Sequence, residues 1–241
     1  MFSAIVAAVS LVAGAVAAVS GFGIGSLLTP LLAWKFGTKV AVAAVSVPHL
    51  AATALRCWRM RGHVDFKVLR GFGLASAAGG LAGALLHARF GAPRLTLIFG
   101  ALLVFAGLSG LTGLSKRLHF GGASAWVAGA ASGLFGGLVG NQGGIRSAAL
   151  LGFDVDRQAL VATATAIGVI VDAARMPVYL AVEGRAVLPL APLLAVAVAG
   201  AVAGTLLGEG LLRRVPEAYY RRVVSALILS LGAYMLWTGL A

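Results

Sequence analysis

Residues Gly140-Asn141-Gln142-Gly143-Gly144-Ile145-Arg146-Ser147 interrupt an apolar run that extends from about Ala123 to Phe153. A second interruption, Gly21-Phe22-Gly23-Ile24-Gly25, lies inside the apolar run from about Ala4 to Phe36. A continuous helix of about 30 residues reaches about 45 Å at 1.5 Å per residue, more than the ~30 Å hydrocarbon core of a bilayer. Each run is therefore a long kinked crossing or a hairpin that enters and leaves on one side. Backbone broken in hydrocarbon loses helical hydrogen bonds at several kcal/mol per orphaned group, so such breaks persist only around a polar cavity or inside protein.

The rest of the chain reads as membrane too. Of 241 residues 60% are hydrophobic, 19 are basic and 7 acidic. Seven acids and four histidines cannot solvate a globule of this size or supply many acid/base or metal sites, which excludes the common soluble enzyme classes. The net charge of +12 does not point to nucleic acid, because the Lys and Arg residues flank apolar runs instead of sharing one hydrated face. Cys57, the sole cysteine, leaves no intramolecular disulfide, CxxC site or zinc cluster. No cofactor or metal is implied. The remaining apolar segments are Val40 to Leu55, Val68 to Leu86, Leu95 to Leu114, Ala159 to Ala174, Val187 to Leu207 and Val223 to Leu240. No basic residue precedes the first segment, which argues against a cleaved signal peptide.

The fold class is thus an all-α polytopic membrane protein, and the eight segments divide into two sets of four. A shift of 119 places Gly21 on Gly140, Gly25 on Gly144, Leu31-Leu32 on Leu150-Leu151, Trp34 on Phe153, Ser46 on Thr165 and Arg56 on Arg175. Slightly larger shifts place Gly79 and Gly83 on Gly200 and Gly204, and Gly107 on Gly232. The repeats are residues 1–116 and 117–241. Loop charge discriminates the topologies. Simple crossings divide the loop Lys and Arg 9 against 9, whereas re-entrant first and fifth segments place 12 on one side and 6 on the other. The asymmetry favours re-entry, and a unit of three crossings plus a hairpin inverts the second repeat relative to the first.

Matching breaks in two repeats mark a binding site near the middle of the membrane. Helices restarting near Ser26 and Ile145 aim backbone N–H groups and positive dipole ends into it, which suits an anion. Arg146, whose counterpart is Leu27, supplies a planar fork for an oxyanion. Around it the candidate ligands are Asn141, Gln142, Gly143, Gly144, Gly23, Gly25, Ser26, Ser46 and Thr165. Thr29, His49, Thr53, Ser147 and Thr163 are further uncharged polar groups on the same elements, any of which can also back-bond within its own helix. Asp172 and Arg175 stand one turn apart and form an ion pair or, less readily, a proton-carrying site. Pro177 predicts that their helix ends nearby, at the interface. Arg56, Arg59, Arg61, Lys67 and Arg70, with Arg213, Arg214, Arg221 and Arg222, read as flanks that orient the chain and meet lipid headgroups. Trp34, Trp58, Trp126 and Trp237 read as interfacial anchors, and His63, His87 and His119 as loop-proximal.

At its two glycine motifs, and at Gly62-His63-Val64-Asp65-Phe66 opening the third span, the chain resembles the TauE/SafE family of sulfite exporters. The resemblance extends through nearly the whole chain. It implies multi-pass residence in a bacterial inner membrane and export of sulfite, sulfoacetate or a related organosulfur anion, driven by the proton gradient. Ala149 stands where that family usually has proline, and Glu183-Gly184-Arg185-Ala186 is a degenerate second copy of the loop motif. The expected partners are a small anion and the lipid bilayer, with no nucleic acid. Carrier and passive channel share every residue argument, and monomer and homodimer both stay open. A membrane enzyme acting on a lipid phosphate needs a nucleophile or paired carboxylates, and only Asp172 is at hand.

Overall fold

The apolar segments fold as helices in the computed structural model, which describes residues 1–20, 23–114, 123–141, 143, 146, 150, 153, 155–212 and 217–240. Helix α1 (Phe2–Ser20) and α2 (Ile24–Phe36) flank the first break, and α3 (Thr38–Met60) follows directly. Next come α4 (Phe66–Arg89), which contains a π-helical stretch at Leu69–Gly73, and α5 (Ala92–Thr112). Helix α6 (Ala123–Val139) precedes the second break. The chain resumes as α7 (Arg157–Val187), turns through Leu188–Leu190, and ends with α8 (Ala191–Leu212) and α9 (Glu217–Leu240). Among the described residues there is no strand.

Among the described residues, five helical stretches are long and apolar enough to cross a membrane: Thr38–His63, Phe66–Arg89, Ala92–Thr112, Gln158–Gly208 and Arg222–Leu240. The fourth has 51 residues, the length of two spans, and joins α7 to α8 through the turn at Pro189. The polarity of the bundle is inverted relative to a water-soluble protein. Leu81, Leu85, Phe105, Leu108, Val182 and Leu206 face outward, while Arg56, Arg146, Asp172, Arg175 and His87 are buried. Lipid, unlike water, accepts the first set and penalises the second. Trp34, Trp58, Trp126 and Trp237 all point outward, as anchors require.

Lipid provides no hydrophobic drive between apolar helices, so close backbone approach must hold them together. Glycines permit it. Helix α1 packs along α8, α4 along α6 and α5 along α9, with α3 at the centre against α2, α7 and α8. A β-carbon added to Gly204 of α8 would lie 2.0 Å from Leu11 O of α1, and one added to Gly14 of α1 would lie 2.2 Å from Ala201 O. Between α4 and α6 the corresponding distances are 1.9 Å from Gly133 to Ser76 O and 2.0 Å from Gly83 to Leu134 O. The ring of Phe2 meets Phe36 edge-on at 6.0 Å, and Lys35 Nζ sits 4.5 Å over the Phe2 ring. The start of α1 therefore lies beside the end of α2.

One expectation fails here. Helix α7 does not stop near Pro177 but runs to Val187, so Asp172 and Arg175 lie at its middle and not at an interface. Proline removes one backbone donor, a loss that membrane helices tolerate when neighbouring groups are packed around the gap.

Gly133→Ala and Gly204→Ala are expected to lower the thermal unfolding midpoint in detergent by several degrees, since overpacking costs about 1–3 kcal/mol. Gly184→Ala, with no atom within 4 Å of the added carbon, is expected to leave it unchanged or raise it.

Candidate anion site between the helix breaks

The breaks are made by glycines in conformations other residues avoid. Gly23 has φ 139° and Gly140 has φ 77°. Helix α2 begins immediately after Gly23 with no side-chain cap among the described residues, which sets the positive end of its dipole at the break. The two breaks touch: a β-carbon on Gly25 would lie 2.6 Å from Gly140 O.

The carbonyl ends of α1 and α6 are treated differently from the amide end of α2. Arg56 Nη1 donates to Ala17 O in the last turn of α1, and Arg175 Nη1 donates to Gly136 O in the last turn of α6. Tyr179 Oη donates to Gly137 O, and His87 Nδ1 donates to Leu138 O at 2.9 Å. Cations thus sit at the negative dipole ends, where they are most stable, and donate to carbonyls of the last turn; Gly136 O accepts from Gly140 N as well, at 2.9 Å.

Helices α3 and α7 cross antiparallel at the centre. Ascending α3, His49 Nδ1 lies 2.6 Å from Asp172 Oδ2, Thr53 faces Gly168, and Arg56 Nε donates to Thr165 Oγ1 at 3.0 Å. Asp172 Oδ1 lies 2.7 Å from Arg175 Nη2, so one carboxylate holds a histidine and an arginine. Arg146 enters this crossing from the second break. Its Nη1 would lie 3.1 Å from a β-carbon on Gly168, and Thr53 Cγ2 would lie 3.2 Å from that carbon, so Gly168 leaves the room that the guanidinium uses. Arg146 is 2% exposed, and neither Nε nor Nη1 has a hydrogen-bond partner among the described residues. Arg56, Asp172 and Arg175 are within electrostatic range of it.

The buried charged groups among the described residues are Arg56, Arg146, Arg175 and Asp172, and the carboxylate of Asp172 stands against Arg175. A buried unpaired ion costs several kcal/mol, whereas an opposite charge about 4 Å away returns about 4 kcal/mol at an effective dielectric of about 20. An anion beside Arg146 would offset part of that cost, and the planar guanidinium can give it two parallel hydrogen bonds.

Of the predicted ligands, Gly23, Gly25, Ser26, Gly143 and Arg146 are buried and Asn141 is half-buried at the second break. Gln142 and Gly144 lie outside the described residues, as do Ile145 and Ser147. The Ser46 hydroxyl donates to Ala43 O at 2.6 Å, and that of Thr165 donates to Val161 O while accepting from Arg56. Both keep only acceptor capacity, which an anion cannot use. One reading needs correction: Arg56 is no headgroup-facing flank but is 4% exposed inside the bundle, because the end of α1 needs a cation there. His87 stands near the end of α4 as expected, but is fully buried, with its ring 5.0 Å from that of Tyr179. His49 is a hydrogen-bonded interior residue whose partner is Asp172. Asp65 of the Gly-x-Val-Asp loop caps α4, accepting from Lys67 N and Val68 N at 2.8 and 3.0 Å. The equivalence of Arg56 with Arg175 was a signal that both share one depth.

A family model described as "Sulfite exporter TauE/SafE" matches residues 6–235 of the chain. No curated protein and no solved structure matches it.

The arginines should separate by stability. Arg56→Ala and Arg175→Ala each remove charge-assisted bonds worth about 1.5–3 kcal/mol and are expected to lower the unfolding midpoint in anion-free detergent. Arg146→Leu removes a buried charge with unpartnered donors and is expected to leave the midpoint unchanged or raise it. An Arg146→Leu midpoint that falls as far as that of Arg175→Ala would contradict this assignment.

Proposed function

Because the chain belongs to the sulfite exporter TauE/SafE family, we propose that it is a secondary transporter exporting a small sulfur-containing oxyanion, such as sulfite, sulfoacetate or a related organosulfonate. The family is one of membrane transporters for anions, and the chain's long apolar helices make it multi-pass. The membrane it occupies in this reading is a bacterial inner membrane. The observation that carries the substrate assignment is Arg146, buried with Nε and Nη1 unpartnered among the described residues.

In this reading the anion lies between the two breaks. Arg146 neutralises it and gives the bidentate contact. The amide end of α2 at Gly23 to Ser26 adds N–H donors, and Asn141, Gln142, Gly143 and Gly144 complete the cage from the second repeat. Arg56 and Arg175 hold the ends of α1 and α6 and contribute field, with Asp172 restraining Arg175.

Alternating access in this reading comes from residues 1–116 rocking against residues 117–241. Several contacts support a pair of inverted repeats. The Arg56 to Ala17 bond and the Arg175 to Gly136 bond are the same interaction displaced by 119 residues. Helix α1 packs on α8 as α6 packs on α4, and α3 packs on α8 as α7 packs on α4. Helices α3 and α7 are equivalent in sequence yet run antiparallel, which is what inversion requires. The Phe2–Phe36 contact supports re-entry, since it sets the two ends of the first segment side by side.

Purified protein in liposomes is expected to move sulfite with saturable kinetics, with thiosulfate, sulfate and sulfoacetate as competitors. Arg146→Leu is expected to reduce flux at least tenfold, the loss of one charge-assisted contact of about 1.4 kcal/mol or more. Unchanged flux in Arg146→Leu would remove the site assignment, and flux that never saturates would make the protein a channel.

A further inference from the structure

We infer that the chain holds one anion and not two, and that Gly168, facing Thr53, is the positioning residue that confines the site to the side of Arg146 by leaving its guanidinium the place it needs. This rests on the anion reading given above.

Two breaks at matching positions offer, on sequence alone, two equivalent places for a ligand. The spacing of 119 says which residues stand at each: Arg146 corresponds to Leu27, Gly168 to His49 and Asp172 to Thr53. The α3/α7 crossing brings four of these together as two pairs, each with one member from either half of the chain. In one pair His49 Nδ1 and Asp172 Oδ2 are 2.6 Å apart. In the other, a β-carbon on Gly168 would lie 3.2 Å from Thr53 Cγ2. Exchanging the halves turns the first pair into the second, position for position.

The two pairs differ in what they hold. An imidazole and a carboxylate occupy the first, hydrogen-bonded to each other, and the other carboxylate oxygen is 2.7 Å from Arg175 Nη2. The first break carries the buried Leu27 at the position of Arg146, and an alkyl group has no donor for an anion. A carboxylate in this pair repels one as well. The second pair contains a hydrogen atom and a methyl group. Arg146 Nη1 and Cζ lie 3.1 and 3.7 Å from where the Gly168 β-carbon would stand, so the guanidinium rests where the first pair has its ring.

Gly168 is also unlike the glycines that hold the helices together. Gly133, Gly204 and Gly83 have backbone carbonyls of a neighbouring helix as their nearest atoms, whereas the three nearest to Gly168 are side-chain atoms of Arg146 and Thr53. A methyl group at 168 moves the guanidinium by a few tenths of an ångström, and a ring displaces it altogether. Hydrogen bonds to an anion depend on distance and angle, so the displacement weakens binding. It breaks no protein bond of Nε or Nη1, since neither has a partner among the described residues.

Titration calorimetry with sulfoacetate, on the full chain in detergent, reads both number and affinity. Wild type is expected to bind one anion per chain. Gly168→His, which gives α7 the residue that α3 has at the equivalent position, is expected to weaken binding at least about tenfold, the loss of one charge-assisted contact. Gly168→Ala is expected to weaken it about two- to fivefold, as contacts shifted from their best geometry lose part of their energy. Its unfolding midpoint in anion-free detergent is expected to stay unchanged or rise, because alanine favours the helix. Two anions per chain, or wild-type affinity in Gly168→His, overturns the proposal while leaving the transporter reading intact. A Gly168→Ala midpoint that falls as in Gly133→Ala, with affinity unchanged, makes Gly168 a packing glycine and also overturns it. Should Gly168→His fail to fold, the two Gly168→Ala measurements decide. Absence of wild-type binding to every anion of the sulfite, thiosulfate, sulfate and sulfoacetate panel overturns the transporter reading and this proposal with it.

Discussion

A guanidinium held inside a bilayer costs several kcal/mol unless a carboxylate, a set of carbonyls or an exogenous anion answers it, and three arginines at one depth make that cost the constraint around which this bundle is arranged. Two of the arginines are answered by the protein. Arg56 and Arg175 reach back 39 residues to the carbonyl ends of α1 and α6, so the charge that would destabilise an intact helix bundle stabilises a broken one. Arg175 has Asp172 as well. Arg146 is left with donors that no described group accepts. The breaks and the buried charges depend on one another: without the breaks the arginines would have no helix ends to meet, and without the arginines the negative dipole ends of α1 and α6 would have no cation beside them.

The helix packing follows from the same economy of space. Gly204 against Leu11, Gly133 against Ser76 and Gly83 against Leu134 bring backbones together at distances that a methyl group would forbid. Lateral cohesion therefore comes from α1 with α8 and α4 with α6, along the outside of the α3/α7 crossing. The centre is then free to hold polar groups that pack poorly. A bundle held together by a leucine-filled core would have no room for His49, Asp172, Arg175 and Arg146 in one layer.

Much of this was legible in the sequence. The two glycine clusters and the spacing of 119 pointed to the breaks, to the matching positions of Arg56 and Arg175, and to Arg146 as the exception with leucine as its counterpart. What the sequence hid was depth. Arg56 stands at the end of an apolar run next to Arg59 and Arg61, a pattern shared by every positively charged flank, and only the backbone path of α1 shows that Ala17 O waits beside it. Pro177 misled for a related reason. A proline ends most helices in water, but a bilayer offers no solvent to the freed carbonyl, so continuing the helix through it is the less costly outcome. The partnership of His49 with Asp172 was not legible at all, because antiparallel crossing of two helices 123 residues apart is a tertiary fact. Nor does the sequence tell where a hydroxyl proton goes: those of Ser46 and Thr165 are donated to carbonyls of their own helices.

The central claim is that an oxyanion supplies the missing partner of Arg146. The most direct measurement is an experimental density map of the protein with selenite, in which selenium's anomalous scattering marks the anion. The account predicts one strong peak within hydrogen-bond distance of the Arg146 guanidinium, beside the opening amides of α2, and its disappearance in Arg146→Leu. Selenium found only at the peripheral Lys and Arg residues, with Arg146 partnered instead by a protein carboxylate or carbonyl, would contradict it.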